Sequence, residues 1–118
     1  KKKNFELKKK NIKIINKFYL ATLYKSEDKI LLIKNTKFKF LKNLLIFPMV
    51  EITKTDSLLK KSNKLNLKMS NMNMNISIDF MKIKNNKKNG LWIKKKNLKN
   101  YMIPTFTKKI LASIESNL

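Results

Sequence analysis

The chain contains no cysteine, no histidine and no arginine, one glycine and two prolines in 118 residues. The first two absences exclude disulfides, thiolate or imidazole metal sites, and any nucleophile or acid–base chemistry that runs through Cys or His. Without arginine there is no guanidinium fork to grip guanine or phosphate in a bidentate manner, so any phosphate contact falls to the point charges of lysine. Acidic residues are scarce as well, at 7 against 29 basic ones, for a net charge of +22. No apolar run approaches the ~18 residues of a membrane span, and the lysine-rich start leads into a charged segment and not into a signal-type apolar stretch.

What is present is enough for one compact unit. Apolar residues make up 42% of the chain and are spread along it, which supports a core and argues against wholesale disorder. A start at Lys1 and not at Met fits a piece of a longer protein. The charge favours phosphate polyanions first and anionic membranes second. Part of it has another source. Abundant Asn, Ile and Lys beside scarce Gly, Val and Ala fit an A+T-rich coding sequence, in which lysine collects on any solvated face.

Lys1 to Lys10 reads as a basic linker end, with 11–118 forming the domain. From Ile12 to Tyr24 the pattern predicts a strand, with Ile12, Ile14, Ile15, Phe18, Leu20 and Leu23 as candidates for burial. Lys25–Lys29 is a polar turn, and Ile30–Leu31–Leu32–Ile33 completes a hairpin as a central strand. Leu44–Val50 is a second apolar run in which Pro48 marks an end or an edge. Thr55–Lys61 has helix chemistry, with capping types first, Asp56 in the opening turn and lysines last.

The clearest periodicity is Met72, Met74, Ile76, Ile78 and Phe80 alternating with polar residues, the mark of a half-buried strand. The phase slips at Met81 and Ile83, which predicts a bulge or twist. Leu65, Leu67 and Met69 alternate in the opposite phase, so a turn is expected at Ser70–Asn71. Asn85–Gly90 is a polar connection, Trp92–Ile93 a short strand, and Leu98 sits on one turn of helix. Pro104 opens a last helix whose stripe is Phe106, Ile110, Ile114 and Leu118, with Leu111 beside it. Strands followed by a terminal helix, with one short internal helix, indicate an α+β domain. No internal repeat is visible.

Three segments, in order, resemble the C-terminal domain of the adenine DNA glycosylase MutY family. Tyr24–Glu51 is similar to its opening hairpin and the following Gly–Gly–Leu–Trp–x–Phe–Pro stretch. Here Lys42–Asn43 stand for the glycine pair and Leu45 for the Trp, while Phe47–Pro48 is kept. Met69–Ser70–Asn71–Met72–Asn73–Met74 is similar to the family's Phe–Ser–His–Phe–x–Leu lesion-recognition loop, with Ser70 matched and Asn71 in place of His. Trp92–Leu111 is similar to its ending: a Trp strand, a spaced Leu, then Pro before a helix. Together these cover about three-quarters of the chain.

The resemblance implies a Nudix-like mixed sheet with a short internal helix and a C-terminal helix. It implies a non-catalytic DNA-repair domain, the accessory part of an A/G-specific adenine glycosylase in base excision repair. Such a domain binds double-stranded DNA containing 8-oxoguanine while an N-terminal domain of the same protein excises the opposing adenine. Ser70, Asn71, Met69 and Met72 become the candidate lesion contacts, and Lys42, Asn43 and Lys68 the candidate backbone contacts. The iron–sulfur cluster is expected in the N-terminal domain, with no cofactor or metal in this chain. A monomer is expected, cytoplasmic in a bacterium, nucleoid-associated when bound and not attached to a membrane. The Nudix hydrolase signature has no counterpart, because the matching helix offers Asp56 alone among lysines where magnesium needs several carboxylates.

Oxidation of guanine at C8 turns N7 from an acceptor into an N–H donor and adds an oxygen at C8. One hydroxyl can accept from the first and donate to the second, which suits Ser70; Asn71 carries both a donor and an acceptor. Without the resemblance the same residues read more plainly. Ser70–Asn71 is an ordinary turn dipeptide, the methionines are sheet core, Trp92 is a packing residue and Glu51 a surface pairing group. A small basic ribosomal or other RNA-binding structural protein is then the alternative.

Overall fold

The computed structural model describes residues 13–84 and 88–115. In chain order the elements are β1 (Ile15–Ser26), β2 (Lys29–Lys34), β3 (Leu45–Ile46), β4 (Met49–Ile52), α1 (Lys54–Leu59), β5 (Asn63–Met69), β6 (Met72–Lys82), β7 (Leu91–Lys94), a 3-10 helix (Lys95–Asn100) and α2 (Thr105–Ser113). The expected linker end at Lys1–Lys10, the burial candidate Ile12, part of the Asn85–Gly90 connection and Leu118 lie outside the described residues.

The strands form a mixed sheet ordered β3-β2-β1-β6-β5, with β4 also on β1 and β7 also on β2. Its axis is the parallel pair of β1 and β6, in unbroken register from Ile15 opposite Met72 to Lys25 opposite Lys82. On its other side β1 pairs antiparallel with β4 through Phe18–Ala21 and with β2 only at Lys25 and Ser26. The β1–β2 hairpin turns at Glu27–Asp28, within the polar stretch expected from sequence. This is an α+β domain, as the element pattern predicts.

Alternation sets the core. Tyr19, Ala21 and Leu23 of β1, Met74, Ile76 and Ile78 of β6, and Leu65, Leu67 and Met69 of β5 share the inner face. The third strand joins because Leu67 lies opposite Met74 and Leu65 opposite Ile76 across the hairpin. Two runs of opposite phase thus meet on one side, which only a turn between them allows. Phe106, Ile110 and Ile114 of α2 close the core. Burying a Leu or Ile of this set contributes roughly 1.5–3 kcal/mol, so the stripe on α2 is what holds that helix in place.

Four local expectations change. In β1 the buried phase is Tyr19–Ala21–Leu23: Ile14 and Ile15 are 67% and 46% exposed, while Phe18 and Leu20 face the outer side half-buried. No bulge follows Phe80; β6 runs straight on against β1, and Met81 breaks the pattern because it is 49% exposed beyond the core. The cap of α1 is Thr53, whose hydroxyl accepts from the Asp56 amide at 3.0 Å, so the helix starts at Lys54 and carries no lysine in its last turn. Pro104 occupies the N-cap of α2 instead of its first helical position.

Candidate nucleic-acid interface

Three pieces of the chain converge at one end of the sheet: the β5–β6 turn, the loop 35–44, and the start of α2. Met69 and Met72 face each other across the turn, leaving Ser70 and Asn71 as its two exposed residues. Ser70 has φ +57°, the left-handed region that a non-glycine residue enters at a cost of ~1 kcal/mol or more.

Asn71 is more committed. Its side-chain amide donates to the Lys13 carbonyl at 3.2 Å and its backbone carbonyl accepts from Ile15 at 2.8 Å, so it clasps the start of β1. The Tyr19 hydroxyl donates to the Met72 sulfur at 3.8 Å. Met69 and Met72 are half-buried against the core, so any apolar wedge consists only of the parts they leave exposed.

The loop 35–44 is built on Asn35, a residue whose role sequence reasoning missed. Asn35 is 1% exposed. Its amide nitrogen donates to the carbonyls of Phe40, Leu41 and, at longer range, Phe38; its amide oxygen accepts from the Lys37 and Phe38 amides. Its own N–H and C=O bond Leu44 and Asn43 at 2.8 and 2.7 Å. One side chain thus replaces a missing strand as partner for the loop backbone. Leu41 and Asn43 take positive φ values of +50° and +66°, while Lys42 between them does not. Lys42 projects outward and its ammonium bonds the Thr36 carbonyl at 3.1 Å.

Aromatic packing joins loop, sheet and helix. Tyr19 meets the rings of Phe38 and Phe40 edge-on at 5.5 and 5.8 Å, those two stack at 5.1 Å, and Phe40 reaches Phe106 of α2 at 6.1 Å. Tyr19 is the hub: burial first, and the Glu51 carboxylate second, hold its phenol above the ordinary value of 10.0. The Phe–Lys–Phe alternation at 38–40 was the one sequence signal of this cluster, and it gives no partner.

Between the three pieces lies a cleft of about 320 Å³ lined by Leu41, Leu67, Lys68, Met69, Thr105, Phe106 and Lys109. It brings Lys68 and the neighbour of Ser70 together with the neighbour of Lys42, and adds Lys109, which the sequence did not single out. Glu51 pairs with Lys17 at 3.3 Å. Trp92 is half-buried and its indole N–H donates to the Lys88 carbonyl at 3.1 Å, a packing arrangement.

Among the described residues no three acidic side chains come together to hold a metal ion. None of the helices there is long and apolar enough to cross a membrane.

No protein-family profile matches the chain, and none of the curated proteins does. Solved structures do resemble it. A bifunctional NMN adenylyltransferase/ADP ribose pyrophosphatase from Francisella tularensis, complexed with AMP and a Mn ion, aligns over 98% of this chain with TM-score 0.58 and 12% identity. This chain spans 45% of that one. The C-terminal domain of mouse MUTYH, in complex with human PCNA, aligns over 86% of this chain and 88% of its own length, with TM-score 0.57 and 13% identity. At such identities the likeness is one of fold: the domain has a Nudix-like fold.

Proposed function

We propose that this chain is the DNA-binding accessory domain of an adenine DNA glycosylase, and that it recognises 8-oxoguanine opposite adenine. The observation that carries the reading is the β5–β6 turn. Ser70 stands exposed at its tip beside a cleft that holds two lysines. The fold likeness to the MUTYH C-terminal domain over most of both chains supports the same placement in a repair enzyme.

The chemistry follows from the residues. Lys68, Lys109 and Lys42 supply positive charge for the phosphates, which positions the duplex without reading its sequence. The Ser70 hydroxyl accepts from N7–H of the oxidised base and donates to its C8 oxygen, a pairing that guanine does not offer. Discrimination from such contacts is ~1–3 kcal/mol, or about 5- to 150-fold. Adenine excision belongs to an N-terminal domain of the parent protein, where a flipped base meets its catalytic groups and where the iron–sulfur cluster resides. In this reading the domain works as a monomer in the cytoplasm, on the nucleoid.

Pyrophosphate hydrolysis, the activity of the Francisella ADP ribose pyrophosphatase, fits these side chains poorly. The helix α1 contributes Asp56, and Asp79 is tied to Ser62 and Lys60. Magnesium at a pyrophosphate needs more oxygen ligands than that.

The test is a titration of duplexes that differ only in guanine or 8-oxoguanine opposite adenine, at several salt concentrations. The reading expects a preference for the oxidised duplex that persists as salt rises. Equal affinities with a steep salt slope would leave only an electrostatic clamp and defeat it.

A further inference from the structure

The outer face of the β5–β6–β1 sheet divides into two halves. Toward the far end α1 reaches over the face, where its Ser57 and Leu58 line one cleft with Phe18, Lys64, Asn66 and Asn75. Toward the Ser70–Asn71 turn Lys68 and Asn16 are exposed, and none of the described helices lies over them. Register lines up Lys68, Asn73 and Asn16 in one row and Asn66, Asn75 and Phe18 in the next. The face beside the turn is therefore a patch of amides with Lys68 at its edge, and its second row borders the α1 cleft.

These amides bond one another but leave the network unfinished. Asn66 donates to Asn75 at 2.8 Å, Asn73 to the Asn16 side chain at 2.9 Å, and Asn75 to the Lys17 and Asn73 carbonyls at 3.2 and 3.4 Å, which uses both of its N–H bonds. The Oδ1 of Asn73 is a buried acceptor with no donor among the described residues. The exposed Asn16 amide keeps both of its N–H bonds turned to no protein acceptor there. The Asn73 oxygen calls for a donor, which a phosphodiester lacks, so it is a place for a bridging water and not for a phosphate oxygen.

Charge marks the same half. Residues 7–26 and 57–78, which supply β1, β5 and this part of β6, contain no Asp or Glu. Asp79 is six residues along β6 from Asn73, ~20 Å at the rise of a strand. Lys68 is exposed and forms no ion pair among the described residues.

We infer that this face, Lys68–Asn73–Asn16 with Asn66, holds the phosphodiester backbone of a DNA strand running down the sheet from the turn. Lys68 supplies the charge, and the exposed Asn16 and Asn66 supply N–H donors to phosphate oxygens, the two kinds of group that make most backbone contacts. The inference rests on the proposed DNA-binding role and extends its footprint from Ser70 and the lysines about the cleft to the outer face of the sheet.

The test uses the full chain and an undamaged duplex, read by fluorescence anisotropy over a salt series. Asn66→Asp and Asn66→Lys are compared with Asn89→Asp and Asn89→Lys, which make the same charge changes at an exposed site on the approach to β7. Asn66→Asp is expected to weaken binding about tenfold more than Asn89→Asp, and Asn66→Lys to strengthen it severalfold more than Asn89→Lys. The gain cannot come from misfolding. Lys68→Gln should lower the log–log salt slope by about 0.9. Equal effects at positions 66 and 89 with an unchanged slope would overturn the face while leaving lesion preference to stand or fall separately. No binding of any duplex by the parent chain would overturn both.

Discussion

Replacing Asn35 by Ala should loosen the loop 35–44 and lower the stability of the whole domain. The side chain makes five hydrogen bonds to loop backbone, of which the pairs with Phe40 and Leu41 and the 2.9 Å bond from the Phe38 amide have the best geometry. Each is worth about 1 kcal/mol net, and a carbonyl left buried without a partner costs about 1–3 kcal/mol. Thr36, Lys37 and Lys39 are exposed, so water recovers part of the loss. The expected net is ~2–4 kcal/mol out of a total that for domains is about 5–15 kcal/mol. In thermal unfolding that is a fall of roughly 8–16 °C at about 4 °C per kcal/mol.

Asn35→Asp is the sharper control. It keeps the oxygen that accepts from Lys37 and Phe38 but turns a second oxygen toward the Phe40 and Leu41 carbonyls. It should be no more stable than Ala at neutral pH despite its near-identical size. A midpoint within 2 °C of the parent for both variants, on a roughly 4 °C per kcal/mol scale, would refute the claim that this residue organises the loop.

Three further perturbations address the frame around the site. Thr107→Val removes the 2.7 Å bond from a hydroxyl to the Leu45 carbonyl at a position 2% exposed; chemical denaturation should show a loss of about 1–2 kcal/mol. Gly90 has φ +142°, and a Cβ there would lie 2.5 Å from Cδ1 of the buried Leu31. Gly90→Ala should cost ~1–3 kcal/mol by overpacking and backbone strain, read in the same assay. Tyr19 holds its proton in the folded protein where the unfolded chain releases it, since its folded value lies above 10.0. Its contribution is therefore complete below about pH 10 and lost as pH rises through the raised value; Tyr19→Phe should lack that alkaline component, and parallel pH curves for the two proteins would count against it.

How much of this was legible beforehand depends on whether a feature is local. The β5–β6 hairpin was readable because two alternating runs of opposite phase meet at Ser70–Asn71. The β1–β6 axis was not: those strands are joined by a register 57 residues apart, and no local pattern specifies a parallel partner. The burial phase of β1 was misjudged for a related reason. Ile14 and Ile15 are apolar, but they lie before the part of the strand that faces the core, and apolar residues on a surface are common. Ser70 and Lys68 could be singled out by resemblance and charge. Asn35 could not, because in a chain so rich in asparagine nothing separates the one that folds inward from those that line the outer face.

The most direct measurement is the affinity ratio for 8-oxoguanine over guanine duplexes, taken for the parent chain and for Ser70→Gly. Glycine removes the hydroxyl and also relieves the positive φ at position 70, so the variant should be as stable as the parent or more so, by up to ~1 kcal/mol. The account predicts that the ratio falls to near unity in this well-folded variant while binding to plain duplex is unchanged. An undiminished ratio in Ser70→Gly would contradict it.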